Sequence, residues 1–363
     1  MPKKILFDIG HPKQVHQFKY TYWELERRGW DCLFIAKNKD ITIDLLEKYN
    51  LEYISLGKNR NGIFNKIFDL PQFEYDFYKI VINYTPDIIV SRFSAHSAHI
   101  ARLLNIPHIG FTDTENATLL DSITVPFVNV KLTAKSYMKS LGINHYRYDG
   151  NIELAYLHPN RYRPNHSILE RMGVRKDEKY AIIRFVSWKA YHDIGENGFS
   201  LDDKINIVKT LSKYAKIFIS SENGLPVELS KYKISIPPES MHDALNYASL
   251  YIGESPTMTS ESGILGTPAI CVSSWAGKCG NFRELSSYDL LKCFQPENSY
   301  SALRMAVNIL KNDDAKVEWN IKRAQFLADK IDVSSYMVWF ITNFPESIKI
   351  QQKNGNYVKE LIS

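Results

Sequence analysis

The segment Gly253–Val272 combines hydroxyl side chains, carboxylates and a predicted strand-to-helix turn, which suits phosphate and ribose binding. An apolar run forms the strand, and Ser255, Thr257 and Ser260 occupy the predicted helix start. The N-terminus of a helix that follows a parallel strand presents unpaired N–H groups, which bind phosphate oxygens. Glu261, further inside the helix, could accept hydrogen bonds from ribose hydroxyls. Helix capping uses the same residue types, so both interpretations remain open.

A second group of candidate residues follows the first predicted strand, Lys4–Ile9. Gly10 permits a sharp turn of the backbone, a helix is predicted to start near Gln14, and His11 would then stand at the mouth of the first sheet. Because imidazole titrates near neutral pH, His11 could serve as a general base or as a hydrogen-bond donor to a transition state. The alternative is a loop residue that caps the helix.

Two acidic residues follow the predicted strand Pro107–Phe111. Asp113 and Glu115 are close enough in sequence for both to reach one sugar hydroxyl from a loop. We therefore regard them as further candidates for proton transfer, after His11. The alternative is that Thr112 or Asp113 N-caps a short helix that carries Glu115.

The elements that must position these residues alternate between short apolar strands and amphipathic helices. Strands joined by such helices form right-handed crossovers and a parallel sheet. The pattern predicts an α/β protein with one Rossmann-like, doubly wound domain over residues 1–155 and a second over 156–330. We expect a ligand cleft between the two domains, at the carboxyl ends of both sheets. A long helix, Lys66–Tyr84, is expected to break near Pro71, and the apolar run Phe127–Leu132 is expected to form one strand.

Composition restricts the possible functions. The 363 residues are 44% hydrophobic, which is enough to fill folded cores. A surplus of 45 basic over 40 acidic residues, without long runs of like charge, argues against a nucleic-acid partner. No apolar stretch has the length of a membrane-spanning helix, and the chain starts in a predicted strand, so we expect no signal peptide and a cytoplasmic protein with at most peripheral membrane contact. Cysteine and aspartate spacings predict no metal and no cofactor.

The segment Gly253–Val272 is similar to the donor-nucleotide motif of GT-B glycosyltransferases, such as the lipid II-forming N-acetylglucosaminyl transferase, and of non-hydrolysing UDP-N-acetylglucosamine 2-epimerases. The resemblance rests on the pair Ser260-Glu261 and on Gly266-Thr267-Pro268 before the next strand. It implies that Glu261 binds ribose. It also implies that the diphosphate is surrounded by one turn, formed by Ser255, Thr257, Met258 and Ser260. Those families have a glycine-rich turn where this chain has Pro256, which lacks an N–H group.

The same resemblance extends to the ends of two other strands in the second half of the chain. In GT-B proteins the loop after the first strand of the second domain touches the donor phosphates. This makes Arg184 a candidate for neutralising a departing diphosphate, Ser187 a hydrogen-bond donor and Trp188 a cover for the base or sugar. Ser221 and Glu222 end the next strand, where they could contact the edge of the base or lie on the rim.

The chain up to about residue 295 resembles an uncharacterised microbial family, the domain-of-unknown-function 354 group. The resemblance rests on the segments DIGHPKQVHQF, FTDTENA, YDGNIELAYLHP, RFVSWKAYHDIG and ISSE. It implies a GT-B fold, in which the C-terminal helices, here 331–363, cross back to the first domain. The corresponding first loop of the lipid II-type transferase also ends in His, which supports an acceptor-side role for His11.

These observations predict a metal-independent GT-B glycosyltransferase. It would move a sugar from a nucleotide-diphosphate donor, with UDP-sugars favoured, to the hydroxyl of a saccharide or lipid-linked saccharide in surface polysaccharide or glycoconjugate biosynthesis. One alternative is an epimerase like the UDP-N-acetylglucosamine 2-epimerases, although their opening Gly-Thr-Arg-Pro-Glu pattern is missing. The other is a non-catalytic nucleotide-sugar-binding module, which is supported by Pro256, because this residue lacks an N–H donor in the phosphate-binding turn. The sugar, the acceptor, the stereochemical course and the oligomeric state stay open.

Overall fold

The computed structural model describes residues 2–57, 63–115, 118–186, 198–221, 224–275 and 277–353, with the backbone alone at 63–70 and 118–120. Contacts between these residues define two units. The first comprises Met1–Arg161 and Lys330–Ser363, and the second comprises Tyr162–Asp329. Each unit is built around its own parallel sheet with intervening helices, which confirms the predicted α/β class with two Rossmann-like sheets.

The sheet of the first unit has the described strand order β3-β2-β1-β4-β5-β6-β7, and every neighbouring pair is parallel. The strands are β1 (Lys4–Ile9), β2 (Asp31–Ala36), β3 (Tyr53–Ser55), β4 (Ile88–Ser91), β5 (His108–Phe111), β6 (Val130–Ala134) and β7 (His145–Tyr148). Successive residues of the central strands are buried alike, so both faces of the sheet are covered. The helices of this unit are α1 (Pro12–Arg27), α2 (Thr42–Lys48), α3 (Ile63–Tyr84), α4 (Ala95–Leu104), α5 (Thr118–Thr124), α6 (Leu154–Leu157), α14 (Val333–Thr342) and α15 (Glu346–Lys353), with a 3₁₀ turn at Val125–Phe127.

The sheet of the second unit has the described order β12-β11-β10-β8-β9 and is also parallel. Its strands are β8 (Tyr180–Phe185), β9 (Lys216–Ser221), β10 (Leu250–Gly253), β11 (Ala269–Val272) and β12 (Leu291–Phe294). Its helices are α7 (Ser167–Arg171), α8 (Leu201–Leu211), α9 (Met241–Tyr247), α10 (Pro256–Ile264), α11 (Gly280–Ser287), α12 (Ser299–Lys311) and α13 (Ala315–Asp329), with 3₁₀ turns at Val227–Tyr232, Pro238–Ser240 and Pro296–Asn298. The core of this unit joins β8, β10 and β11 to α8 and α12.

The strand order of each sheet reverses direction at one pair of neighbours, which is where open α/β sheets bind ligands. In the first unit the chain goes from β1 outward to β3 and then returns to place β4 on the other side of β1. In the second unit it goes from β8 to β9 and then places β10 on the other side of β8. The loops after β1 and β4, and those after β8 and β10, therefore border the expected ligand crevices.

Two local predictions are wrong. Helix α3 continues through Pro71 without a break, so the loss of one backbone donor is tolerated there. The apolar run Phe127–Leu132, predicted as one strand, instead contains the end of the 3₁₀ turn and the first residues of β6. The first error arises because α3 continues past a residue that lacks an N–H donor, and the second because apolar residues continue across an element boundary.

Helix α14 packs against α1 and α6 within the first unit. The hydroxyl of Ser334 donates to the carbonyl of Ala155 at 2.7 Å, and the hydroxyl of Thr21 lies 3.5 Å from the sulfur of Met337. In the part of the chain that the structure describes, no helix is long and apolar enough to cross a bilayer.

Lys316 on α13 is a partly buried lysine whose side chain caps the end of α9. Its Nζ donates to the carbonyls of Asn246, at 2.6 Å, and Ala248, at 3.3 Å, and also contacts the hydroxyl of Thr267. Cations bind the last carbonyls of a helix favourably. Burial, together with the nearby charge of Arg323, nevertheless lowers the pKa of Lys316 from 10.5 to about 7.

We predict that Lys316 makes the free energy of unfolding vary with pH in the neutral to alkaline range. Between about pH 7 and 10.5 the folded lysine is neutral and the unfolded one is charged, so unfolding takes up a proton. The free energy of unfolding should therefore rise with pH in this window, by up to ~1.4 kcal/mol per pH unit. Urea denaturation across this range should show the rise in wild type and a flatter profile in Lys316→Met. The exposed Lys311→Met serves as control, and equal profiles for wild type and Lys316→Met would contradict the prediction.

Candidate functional site

The loop after β1 places His11 at the N-cap of α1, at the carboxyl edge of the first sheet. Its ring is exposed, and its Nδ1 accepts the backbone N–H of Lys13 at 3.2 Å. The side chain of Gln14 turns back and accepts the N–H of Gly10 at 2.6 Å. Both bonds use backbone donors near the start of α1, so the loop has a defined conformation.

The capping bond determines which nitrogen of His11 carries the proton in the neutral ring. Nδ1 can accept the N–H of Lys13 only while it is unprotonated, so the proton of neutral His11 resides on Nε2. In this state His11 offers an N–H donor. Action as a base through Nε2 would require the other tautomer and the loss of the cap. Of the two predicted roles, the hydrogen-bond donor is the one that this geometry supports.

A network of four charged side chains lies at the same edge, next to His11. The Nζ of Lys13 contacts Asp113 Oδ2 at 2.8 Å and Glu153 Oε1 at 2.7 Å. The guanidinium of Arg92, which follows β4, contacts Asp113 Oδ1, and its Nη2 donates to the hydroxyl of Thr114 at 3.2 Å. Each of the four charged side chains is at most 12% exposed. The predicted candidate Asp113 is thus held by cations on both of its oxygens.

Glu115 occupies a different environment from Asp113. Its carboxyl group is buried, and Oε1 accepts the N–H of Met138 at 3.1 Å in the turn after β6. The hydroxyl of Tyr137 donates to the carbonyl of Thr114 at 3.3 Å and holds the same two loops together. Because the carboxyl group of Glu115 is buried and bonded to the backbone of another loop, its role is structural. Asp113 is therefore the better candidate of the two for proton transfer.

Asp8, at the end of β1, joins this strand to α4. His96 Nε2 lies 2.9 Å from Asp8 Oδ2, and the hydroxyl of Ser97 donates to the same oxygen. Burial alone would raise the pKa of Asp8, but the interactions with His96, Ser97 and Ser94 hold it well below its usual range. This buried carboxylate fixes the start of α4 beside the loop that carries Arg92.

In the second unit, Ser255 is the N-cap of α10 at the carboxyl end of β10. Its hydroxyl accepts the N–H of Met258 at 3.4 Å, and Pro256 at the first helical position has no N–H. Pro256 lacks an N–H and the N–H of Met258 is bonded to Ser255, so the backbone N–H of Thr257 is the first-turn donor that remains for a ligand. Ser255, Thr257 and Met258 are partly exposed, whereas Ser260 is fully buried. The turn is thus accessible at three of the four predicted diphosphate-binding residues.

Glu261 pairs with a histidine that precedes the turn in sequence. Its Oε1 lies 3.1 Å from Nε2 of His242 on α9, and both side chains are less than a tenth exposed. This contact places His242 beside the predicted ribose-binding carboxylate. The pair holds one oxygen of Glu261 in a defined position.

Glu254, directly before the turn, is a buried carboxylate that joins two distant segments. It is fully buried, and its oxygens accept the N–H groups of Val186 at 2.7 Å and Phe199 at 2.6 Å. Lys204 on α8 lies 3.8 Å away. Glu254 thus anchors the end of β8 to the start of α10.

The remaining predicted donor-side residues belong to β8, β9 and the loops after them. Arg184 Nη1 donates to the hydroxyl of Ser220 at 2.7 Å, so its guanidinium is held at the end of the two strands. Ser221 is the last residue of β9 and is partly exposed. Ser187, Trp188 and Glu222 lie outside the described residues.

Lys13, Glu153, Glu254 and His242 are the partners that sequence reasoning did not identify as functional. Lys13 and Glu153 do lie within two of the segments that carry the family resemblance, DIGHPKQVHQF and YDGNIELAYLHP. That signal could have marked them, but their pairing required the structure. No group of three or more metal-ligating His, Cys, Asp or Glu side chains occurs among the described residues.

Comparison with known proteins identifies a family and a fold. The profile of the family described as "Protein of unknown function (DUF354)" matches residues 3–281. An uncharacterized protein of Methanocaldococcus jannaschii is 24% identical over 279 residues, which is 73% of this chain and 80% of that protein.

Solved structures of similar fold cover nearly the whole chain. A putative UDP-N-acetylglucosamine 2-epimerase from Listeria monocytogenes superposes with a TM-score of 0.69 and 11% identity, over 95% of this chain and 97% of that one. A spinosyn rhamnosyltransferase complexed with thymidine diphosphate superposes with a TM-score of 0.60 and 11% identity, over 94% and 100%. This likeness confirms the predicted GT-B fold class.

The capping geometry of His11 predicts its tautomer. In alkaline buffer, where imidazole is neutral, long-range ¹H–¹⁵N correlation spectra should show Nδ1 of His11 without a proton and Nε2 with one. His145 is an internal reference, because its Nδ1 accepts the N–H of Leu141 at 3.1 Å and must likewise be unprotonated in the neutral ring. A proton on Nδ1 of His11 would contradict the capped geometry and favour the base role.

Proposed function

The chain belongs to the family described as "Protein of unknown function (DUF354)", and we propose that it is a glycosyltransferase that moves a sugar from a nucleotide-diphosphate donor to a hydroxyl acceptor. The observation that carries the proposal is the arrangement after β10. There an accessible helix N-terminus is followed by a buried, histidine-paired carboxylate at the point where the strand order reverses.

The second unit supplies the donor side. We assign the diphosphate to the turn of Ser255, Thr257 and Met258, where the positive end of the α10 dipole stabilises the charge that develops on the leaving group. Arg184 adds a positive charge at the end of β8. Glu261 accepts hydrogen bonds from the ribose hydroxyls through the carboxylate that His242 orients. The complex of the similar rhamnosyltransferase with thymidine diphosphate supports a nucleotide diphosphate as ligand.

The first unit supplies the acceptor side. In the proposed reaction the acceptor oxygen attacks the anomeric carbon, the bond from that carbon to the phosphate oxygen breaks, and the nucleotide diphosphate leaves. Asp113 takes the proton of the acceptor hydroxyl, while Nε2–H of His11 donates a hydrogen bond to the reacting groups. The acceptor class that we propose is a saccharide or lipid-linked saccharide of surface polysaccharide or glycoconjugate assembly, reached by peripheral membrane contact from the cytoplasmic side.

An epimerase acting on the nucleotide sugar is a second candidate, because the first unit gathers several acid–base groups. Lys13, Asp113 and Glu153 belong to one network, and the epimerisation of a sugar ring needs more than one proton-transferring group. The similar structure from Listeria monocytogenes, a putative epimerase by its description, is consistent with this candidate.

A donor panel distinguishes the candidates. Purified protein is incubated with UDP-, GDP-, CMP- and TDP-sugars, with and without a membrane extract, and the products are followed by mass spectrometry. We expect nucleotide release that depends on the extract. Isomerised donor in the absence of extract would contradict the transferase and support the epimerase. Binding without turnover would support the non-catalytic nucleotide-sugar-binding module, which is consistent with the loss of one N–H donor at Pro256.

Glu261→Gln should weaken UDP binding by about 10- to 100-fold in calorimetry, because charge-assisted hydrogen bonds to the ribose are lost. The amide oxygen can still accept from His242, so the fold should be retained. Glu228→Gln, at an exposed glutamate of the same unit, is the matched control. Unchanged UDP affinity in Glu261→Gln would remove the ribose assignment.

A further inference from the structure

We propose that Lys13 is a positioning residue that holds both candidate catalytic groups of the first unit, and that Glu153 is its anchor. The proposal rests on the proposed transferase function, because it concerns the same groups. Lys13 contacts His11 through its backbone and Asp113 through its side chain. One residue thereby fixes an imidazole and a carboxylate that lie on different loops.

The backbone part of this role follows from the start of α1. Pro12 is the first residue of the helix and has no N–H, so Lys13 carries the first N–H of the helix. That N–H donates to Nδ1 of His11 at 3.2 Å. The bond sets the orientation of the His11 ring and leaves the proton on Nε2.

The side-chain part concerns the orientation of Asp113. Arg92 contacts Oδ1 of Asp113, and Lys13 contacts Oδ2 at 2.8 Å. A single cation would leave the carboxylate free to rotate about that contact, whereas one cation on each oxygen defines its plane. Lys13 therefore determines where Oδ2 points when an acceptor hydroxyl approaches.

Glu153 is the group that keeps Lys13 in place. A lysine ammonium sits on a flexible four-carbon chain and has no preferred direction of its own. Glu153, directly before α6, is fully buried and contacts Nζ at 2.7 Å, and its own N–H donates to Asn151 Oδ1 at 3.1 Å. Because Glu153 cannot leave the interior, it fixes the ammonium between the two carboxylates.

The arrangement differs from an ordinary surface ion pair. Lys135 also contacts an aspartate, Asp149, at 2.8 Å, and Lys330 contacts the other oxygen of Asp149 at 2.9 Å, but the side chains of Lys135 and Asp149 are 45% and 32% exposed. The side chains of Lys13, Asp113 and Glu153 are 10%, 12% and 0% exposed. Water can replace a partner in the first pair, whereas in the buried network the loss of one partner leaves a charge uncompensated.

The test uses variants of the full chain. Lys13→Met alone would deprive the buried Glu153 carboxylate of its 2.7 Å contact with an ammonium group and could unfold the unit, so the decisive variant is the double substitution Lys13→Met with Glu153→Gln, which removes both charges. Lys13→Arg is the conservative rescue, because it keeps a cation between the carboxylates. Lys135→Met is the matched control for the loss of an exposed lysine.

We expect the double variant to lower kcat by about 100-fold, since misplacement of a reacting group has effects of this size, while the affinity for UDP stays within about twofold of wild type. Lys13→Arg should retain kcat within about tenfold, and Lys135→Met should equal wild type. A double variant with wild-type kcat would overturn the positioning role.

A second readout needs no activity. Crystal structures of wild type and the double variant should show Asp113 in one conformation in the former and rotated or in several conformations in the latter. An unchanged Asp113 would overturn the proposal even if kcat fell. If wild type transfers no sugar from any donor in the panel, the proposed function fails, and the conformation of Asp113 still decides whether Lys13 positions it.

Discussion

The constraint on which the rest of this structure depends is that both sheets are parallel and buried on both faces. A strand such as β1, whose residues are buried from Ile5 to Ile9, leaves no room on the face of the sheet for solvated charge. Charged groups can then be accommodated only at the ends of the strands. The carboxyl ends also meet helix N-termini, so polar groups and unpaired N–H donors collect at the same edge. The candidate site residues of each unit collect there for this reason.

Within these edges, buried carboxylates organise the loops. Glu153 and Glu254 are both fully buried, yet they are stabilised in different ways. Glu153 is compensated by the ammonium of Lys13, and Glu254 by two backbone N–H groups with Lys204 nearby. Removing a carboxylate from water costs several kcal/mol, so each must be matched by partners at defined positions. The edge of the first sheet consequently carries alternating charges, whereas the turn after β10 is anchored by the Glu254 carboxylate to backbone N–H groups of other segments.

Much of the fold could be predicted, because it follows from local periodicity and from helix signals. The alternation of strands and helices indicated two parallel sheets, and the residues around Gly10 and Ser255 marked the beginnings of α1 and α10. Prediction failed at Pro71, where the rule that proline ends a helix did not hold and α3 continues past it. Of the candidate residues, Asp113 and Glu115 looked equivalent in sequence. Their difference depends on Met138, whose N–H binds Glu115 from another loop.

The sequence by itself determined the elements, the strand ends at which polar residues stand, and the types of group available there, because each depends on residues close together in the chain. Only the tertiary structure decided which of these groups meet. Lys13 is separated from Asp113 by 100 positions and from Glu153 by 140. Their contact depends on the order of the strands and on the packing of α1 against α6, which no local pattern encodes. The pairing of His242 with Glu261 likewise depends on α9 packing beside α10.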